Sequence, residues 1–237
     1  MKKKLNKGKL IVIDGIDGSG KATQTSLLEK RLQKDGFKVR VIDFPRYYDN
    51  FFGKFIGECL SGEYGDFIKV NSRIASVLYA ADRFESSKSI HKWIDEGFVV
   101  ITDRYVSANQ IHQGGKIKNS AERREFMKWL DVMEYKIFGI SKPDLVIYLD
   151  VPYEISRKWL TNKVAQRSKK YLNGKKDVAE DNLNHLKISR GTALELEKEN
   201  KNWEKISCCT KNICLPPEGV HEEVYKVIKN RLSKIFK

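Results

Sequence analysis

Nowhere in this 237-residue chain does an apolar run approach the roughly 20 residues needed to cross a bilayer. The basic start, MKKKLNKGK, runs directly into LIVID, without a long apolar segment or a cleavage site. The chain therefore reads as a cytoplasmic protein with no membrane role. Cysteine is scarce too. Cys59, Cys208, Cys209 and Cys214 form no C-x-x-C pair, and no histidine stands at zinc-finger distance. The expectation is four unpaired thiols in a reducing compartment. Acidic residues are in deficit, 31 against 45 Lys and Arg, for a net charge of +14. Such an excess invites a polyanionic partner but does not choose among nucleic acid, tRNA and nucleotide. Its densest part, Arg157 to Lys176, holds eight basic residues and no acidic one.

What is present is an alternation. Short runs rich in Val and Ile read as buried strands: Leu10–Asp14, Val39–Phe44, Phe98–Thr102, Asp144–Leu149 and, more weakly, Lys205–Cys209. Between them lie helical segments over Ala22–Lys34, Asn71–Asp95, Ala121–Phe138, Tyr153–Ala165, Asp177–Asn200 and Glu218–Ile235. In Asp177–Asn200 the apolar face is Leu183, Leu186, Ala193 and Leu194. This order predicts an α/β domain spanning residues 1–237, with a five-stranded parallel sheet and helices on both faces. Ligands of such sheets bind outside the carboxyl ends of the strands, where Asp14, Phe44, Asp103 and Asp150 fall.

The first strand runs into GIDGSGKATQ, residues 15–24, and then into a helix. Gly15, Gly18 and Gly20 allow backbone N–H groups to converge on an anion, and the helix start adds partial positive charge. Lys21 brings an ammonium to the β- and γ-phosphates of a nucleotide. A tight turn alone would explain the glycines but not Lys21. The phosphate-loop pattern breaks at Ala22, which has no hydroxyl for Mg²⁺, and Thr23 lies about 100° further around the helix. The metal must then lean on carboxylates and water, with Asp17, Asp103, Asp14 and Glu180 as candidates. FVVITDRY, residues 98–105, ends a strand with Asp103 and places Arg104 beside it for a two-pronged grip on phosphate. FPRYY carries Arg46. In LYAADRF, Tyr79 and Arg83 share a helix face, so a ring and a donor can meet one base.

DGSGKATQ, FPRYY, YAADR, DRYVSANQ and KPDLVIYLDVP together closely resemble the thymidylate kinases, within the nucleoside monophosphate kinases, from Leu10 to about Leu232. The resemblance implies a three-layer P-loop kinase fold with a basic lid at about 157–176. It implies transfer of the γ-phosphoryl group of ATP to dTMP with Mg²⁺, in dTTP biosynthesis, by a homodimer. It assigns Gly15, Ile16, Asp17, Gly18, Ser19, Gly20, Lys21, Ala22 and Thr23 to ATP. Asp17, Phe44, Arg46, Tyr79, Arg83, Arg104, Asn109 and His112 go to dTMP, with Tyr79 stacking on the base and Arg83 bonding its O4 edge. Asp17 and Asp103 go to the metal. Lys21, Asp17, Arg104 and the lid cations Arg157 and Arg167 go to catalysis, with Lys169 and Lys170 as further lid candidates. In relatives that carry an arginine where Gly18 stands, it supplies transition-state charge, a role that would pass here to the lid. Relatives often carry a tyrosine or phenylalanine at His112 and an aromatic near Ala179, so acceptor selectivity is open at these two places and at Ala22.

Two other readings are weighed. A kinase for another monophosphate or for a deoxynucleoside would share the loop, but a nucleoside acceptor leaves the arginines without a role. A non-catalytic nucleic-acid binder would need aromatics interleaved with its basic stripe. Residues 157–176 offer only Trp159 and Tyr171, which disfavours nucleic acid as the partner.

Overall fold

The computed structural model describes residues 7–164, 183–211 and 213–231. Five strands form one parallel sheet in the order β2-β3-β1-β4-β5: β1 (Lys9–Asp14), β2 (Val39–Asp43), β3 (Val99–Asp103), β4 (Leu145–Asp150) and β5 (Trp203–Ser207). Strand alternation splits the core into two layers. Ile11 and Ile13 of β1 join Ile101, Ile147 and Ile206 against α1 (Lys21–Lys34) and α8 (Pro217–Arg231), which supply Leu28, Leu32, Val224 and Ile228. Leu10 and Val12 face the other way, with Val100 and Val146. There they meet Ile90 and Ile94 of α3 (Ser72–Asp95) and Ala193 and Leu196 of α7 (Leu183–Glu199).

The remaining elements serve the carboxyl rim of the sheet. They are α2 (Phe51–Leu60), the single turn α4 (Val106–Ala108), α5 (Ser120–Asp131) and α6 (Tyr153–Val164). Wider π-helical turns follow α4 over Asn109–Gln113 and α5 over Val132–Ile137. The neighbours of β1 are β3 and β4, so successive connections leave the central strand in opposite directions. That reversal opens the crevice in which α/β sheets bind ligands.

The strands fall within two residues of their expected bounds, but three expectations fail. Cys209 and Cys214 are joined in a disulfide across a two-stranded hairpin, β6 (Cys209–Thr210) and β7 (Ile213–Cys214); Cys59 and Cys208 alone are buried free thiols. Helix α2 was not expected. On α7, Leu183 is exposed and Leu194 half-buried; the buried stripe is Leu186, Ser189, Ala193 and Leu196, since the helix presents to the sheet the face that continues toward β5. The expected lid residues Arg167, Lys169 and Lys170, together with Ala179 and Glu180, lie outside the described residues. Among the described residues, no helix is long and apolar enough to cross a membrane.

Candidate active site

The glycine loop sits where β1 ends. Gly18 and Gly20 take left-handed backbone angles, φ 80° and 91°, which let the chain curl and enter α1. A Cβ at Gly18 would stand 2.4 Å from the main-chain oxygen of Ser156 in α6, so the loop and that helix touch backbone to backbone. Lys21 folds over the loop and donates to the carbonyl oxygens of Gly15 and Ile16, each at 3.0 Å. Burial and the nearby Arg104 lower its pKa; Asp17, Asp103 and Asp14 oppose that shift. The Ser19 hydroxyl is buried in the loop with no hydrogen-bond partner among the described residues, a donor of the kind a phosphate oxygen satisfies. Asp14 is spent on structure. One oxygen accepts from Gly15 N at 2.8 Å, the other from Ser107 Oγ at 2.5 Å.

At the end of β3, Arg104 has φ 67°, a left-handed conformation that costs a non-glycine residue about 1 kcal/mol or more. The turn is held by Arg104 N donating to Ile13 O at 3.0 Å. It aims the side chain at the glycine loop, where the guanidinium pairs with Asp17 and lies 3.0 Å from His112 Nε2. Burial opposes its charge, but Asp17, Asp14 and Asp103 outweigh burial and push its pKa up. His112 Nδ1 in turn faces His185 Nε2 at 3.3 Å and Ser189 Oγ at 3.1 Å, both on α7. Burial, then Arg104 and His185, hold the His112 pKa well below the usual imidazole value. Asp103 is pushed up to about 6 by burial, against the pull of Lys21 and Arg104.

Asp17, Lys21, Asp103, Arg104, His112 and His185 border a cavity of about 390 Å³, within the range of small-molecule sites. Asp17, Gly18, Gly20, Lys21 and Ala22 bound one end, with Asp103 and Arg104. Phe44, Tyr79, Arg83 and Asn109 line the rest, with His112 and His185. At the far end Arg83 forks onto Glu134, Nε to Oε2 at 2.7 Å and Nη2 to Oε1 at 2.5 Å.

Not every expected residue reaches the cavity. Gly15, Ile16, Ser19 and Thr23 belong to the loop but do not line it. Arg46 is not brought there either. After the cis Phe44–Pro45 bond it turns to Asp49 at 2.7 Å and Asp43 at 3.7 Å, because the acidic residues of its own turn are nearer than the cavity. Arg157 stands half-buried on α6 and is likewise not part of the lining. Conversely, Glu134, His185 and Ser107 had escaped sequence reasoning.

The thymidylate kinase family model matches residues 13–224. The chain belongs to the thymidylate kinase family. The protein is therefore an enzyme of the nucleoside monophosphate kinase class. It is 30% identical over 229 residues to a probable thymidylate kinase of Pyrococcus abyssi, covering 95% of this chain and 98% of that one. It is 32% identical over 231 residues to a probable thymidylate kinase of Thermococcus onnurineus, covering 94% and 98%. In fold the kinase is similar to the thymidylate kinase of Candida albicans, with a TM-score of 0.71 at 23% identity, covering 98% of this chain and 94% of that one.

Proposed function

We propose that this kinase transfers the γ-phosphoryl group of ATP to dTMP, giving dTDP, with the cavity as the acceptor site. The observation that carries this reading is the polarity of the cavity. Its loop end gathers Lys21, Arg104, Asp17 and Asp103, while its far end offers an aromatic ring, Tyr79, beside Arg83 and Asn109. A nucleoside monophosphate has the same layout, an anionic end and a flat base with hydrogen-bonding edges. With its phosphate at Arg104, the nucleotide points that phosphate at the loop where the ATP phosphates would lie.

Phosphoryl transfer asks for alignment and charge stabilisation rather than covalent help. Lys21, at the start of α1, and Arg104, just after β3, both border the cavity, where they would share the charge of the reacting group. Asp17 holds the Arg104 guanidinium at the loop, so the cation is in position before the acceptor arrives. Exclusion of water falls to the walls of the cavity.

Mg²⁺ fits this donor set sparingly. No three carboxylate, histidine or cysteine groups gather into a metal-binding cluster among the described residues. Asp103 borders the cavity and its carboxylate accepts no hydrogen bond among them, whereas Asp17 is engaged by Arg104 and Asp14 by Gly15 and Ser107. Asp103 would hold the ion, directly or through water, with nucleotide oxygens completing the shell. When bound, the ion neutralises charge on the phosphates.

We also infer a homodimer working in the cytoplasm, where ATP is at hand. Ile74, Val77 and Phe84 of α3 and Val132 and Ile137 after α5 are exposed apolar side chains that a second copy would cover. Light scattering tests this, and a monomer at tens of micromolar would overturn it.

The activity is tested by coupled ADP release with dTMP, dUMP, UMP, GMP, AMP and thymidine as acceptors. The highest kcat/KM is expected for dTMP. A higher value for GMP or AMP overturns the reading.

A further inference from the structure

Glu134 is fully buried behind the far end of the cavity and does not line it. An ionisable group is placed there only if its surroundings use the charge. Its oxygens take the Arg83 fork described above, and Oε1 also accepts from Asn109 Nδ2 at 3.1 Å. The same Nδ2 donates to the main-chain oxygen of Ser76 at 3.1 Å. Arg83 and Asn109 are both cavity residues.

Counting hydrogens shows what these bonds leave over. A guanidinium has five N–H groups, and the fork uses Nε–H and one on Nη2, so the remaining donors are left to face a ligand. An amide nitrogen has two, and both are committed to acceptors that cannot donate. The Asn109 amide cannot flip, since Oδ1 would then oppose a carboxylate and a carbonyl. The cavity is left with a donor from Arg83 beside an acceptor, Asn109 Oδ1.

That pair matches a base edge on which a carbonyl adjoins a ring N–H, as O4 and N3–H do in a 2,4-dioxopyrimidine. Cytosine carries the reverse, an amine donor at N4 beside an acceptor at N3, and would leave two polar groups opposed. Sites built to hydrogen-bond one pattern reject its reverse strongly, because the mismatched groups are buried unpaired.

We propose that Glu134 sets the hydrogen-bond polarity with which this enzyme reads the base, acting as a positioning residue for both Arg83 and Asn109. The proposal rests on the dTMP reading of the cavity.

Steady-state kinetics of the full chain with dTMP and dCMP, at saturating ATP, test it in wild type, Glu134→Gln and Glu134→Asp, alongside melting temperatures. Glu134→Gln removes one acceptor: its amide nitrogen opposes Arg83 Nε in one orientation, and both Arg83 Nη2 and Asn109 Nδ2 in the other. It is expected to raise KM for dTMP about 10-fold, with kcat within about 3-fold, and to lower the dTMP-to-dCMP ratio of kcat/KM at least ~10-fold. KM for ATP should not move. Glu134→Asp keeps the charge on a shorter arm and should recover part of the ratio. A folded Glu134→Gln with the wild-type ratio overturns the proposal, as does one that raises KM for dTMP and ATP alike. If Glu134→Gln does not fold, Glu134→Asp is read in its place: its shorter arm loosens the grip on Arg83 and Asn109, and a folded Glu134→Asp with the wild-type ratio and KM for dTMP overturns the proposal. The acceptor ranking of the wild type tests the function separately. Should it favour GMP, the Glu134 assignment is decided by the GMP-to-AMP ratio, whose edges differ in the same sense.

Discussion

Arg104 Nη1 lies 3.0 Å from His112 Nε2, and a guanidinium can only donate. The imidazole nitrogen facing it must therefore be the acceptor, which puts the ring proton on Nδ1. That proton points to α7, where His185 Nε2 and Ser189 Oγ stand ready to accept it. A helix beyond the phosphate site thus fixes the tautomer that orients Arg104.

His112→Gln keeps an oxygen acceptor close to the place of Nε2, whereas His112→Phe removes it. We expect kcat/KM for dTMP within about 3-fold of wild type in the first and about 10-fold lower in the second, the scale of a hydrogen bond to a charged group. Equal values for the two variants would show that the contact does not matter. Because the His112 pKa is depressed, the unfolded chain takes up this proton first as the pH falls below the usual imidazole value. The stability carried by the neutral ring is complete above about pH 6.5 and is lost as the pH falls toward the folded pKa.

Arg104→Ala should lower kcat/KM for the monophosphate at least ~100-fold, the loss of one strong transition-state contact. Lys21→Ala should abolish turnover. Near-normal kinetics in Arg104→Ala would remove that residue from the site, and melting curves check that both variants remain folded.

Asp103→Asn separates stability from activity. Burial lifts the Asp103 pKa from 3.8 to about 6, so the folded chain holds this proton more tightly than the unfolded one. Stability therefore falls as pH rises between those values and stays lower above them. The asparagine variant should melt higher at pH 7.5, by about 1–3 kcal/mol of stability, and little differently near pH 4. The same variant should need more Mg²⁺ for half-maximal rate. A magnesium titration identical to wild type would take Asp103 out of the metal site.

Gly18→Ala meets two obstacles, a left-handed φ of 80° and the Ser156 oxygen 2.4 Å from the new Cβ. We expect at least about 1 kcal/mol of destabilisation and weaker ATP binding, read by thermal melts with and without nucleotide. A variant with unchanged melting and ATP affinity would show that α6 yields at this contact.

The sheet was legible because its first four strands are short Val/Ile-rich runs ending at or next to a residue with chemistry, and GIDGSGKATQ stands between a strand and a helix as phosphate loops require; β5, WEKIS, was the weak signal. Helix α2 was not. FFGKFIGECL is rich in aromatics and glycine, and its propensity for helix is poor until Ile56 and Leu60 pack into their own cluster with Ala75. The two-residue strands around the disulfide are too short for any period to show. Arg46 was placed by its neighbours in sequence, but side-chain direction depended on which carboxylate lay closest.

Glu134 could have been found. Phe126, Leu130 and Met133 mark the buried stripe of α5 and the turn that follows, and position 134 continues that stripe. A carboxylate where the stripe calls for an apolar side chain signals a partner, and the arginine of LYAADRF was the one to suspect.

The sealed contact between Arg83 and Glu134 also constrains how this enzyme can diverge. Exchanging either residue by itself strands an uncompensated ion in the interior, at about 3–5 kcal/mol, a large share of a domain's stability. Descendants should therefore keep both or trade both, and a lineage drifting toward a new nucleobase would have to cross that barrier in one double step or first gain stability elsewhere.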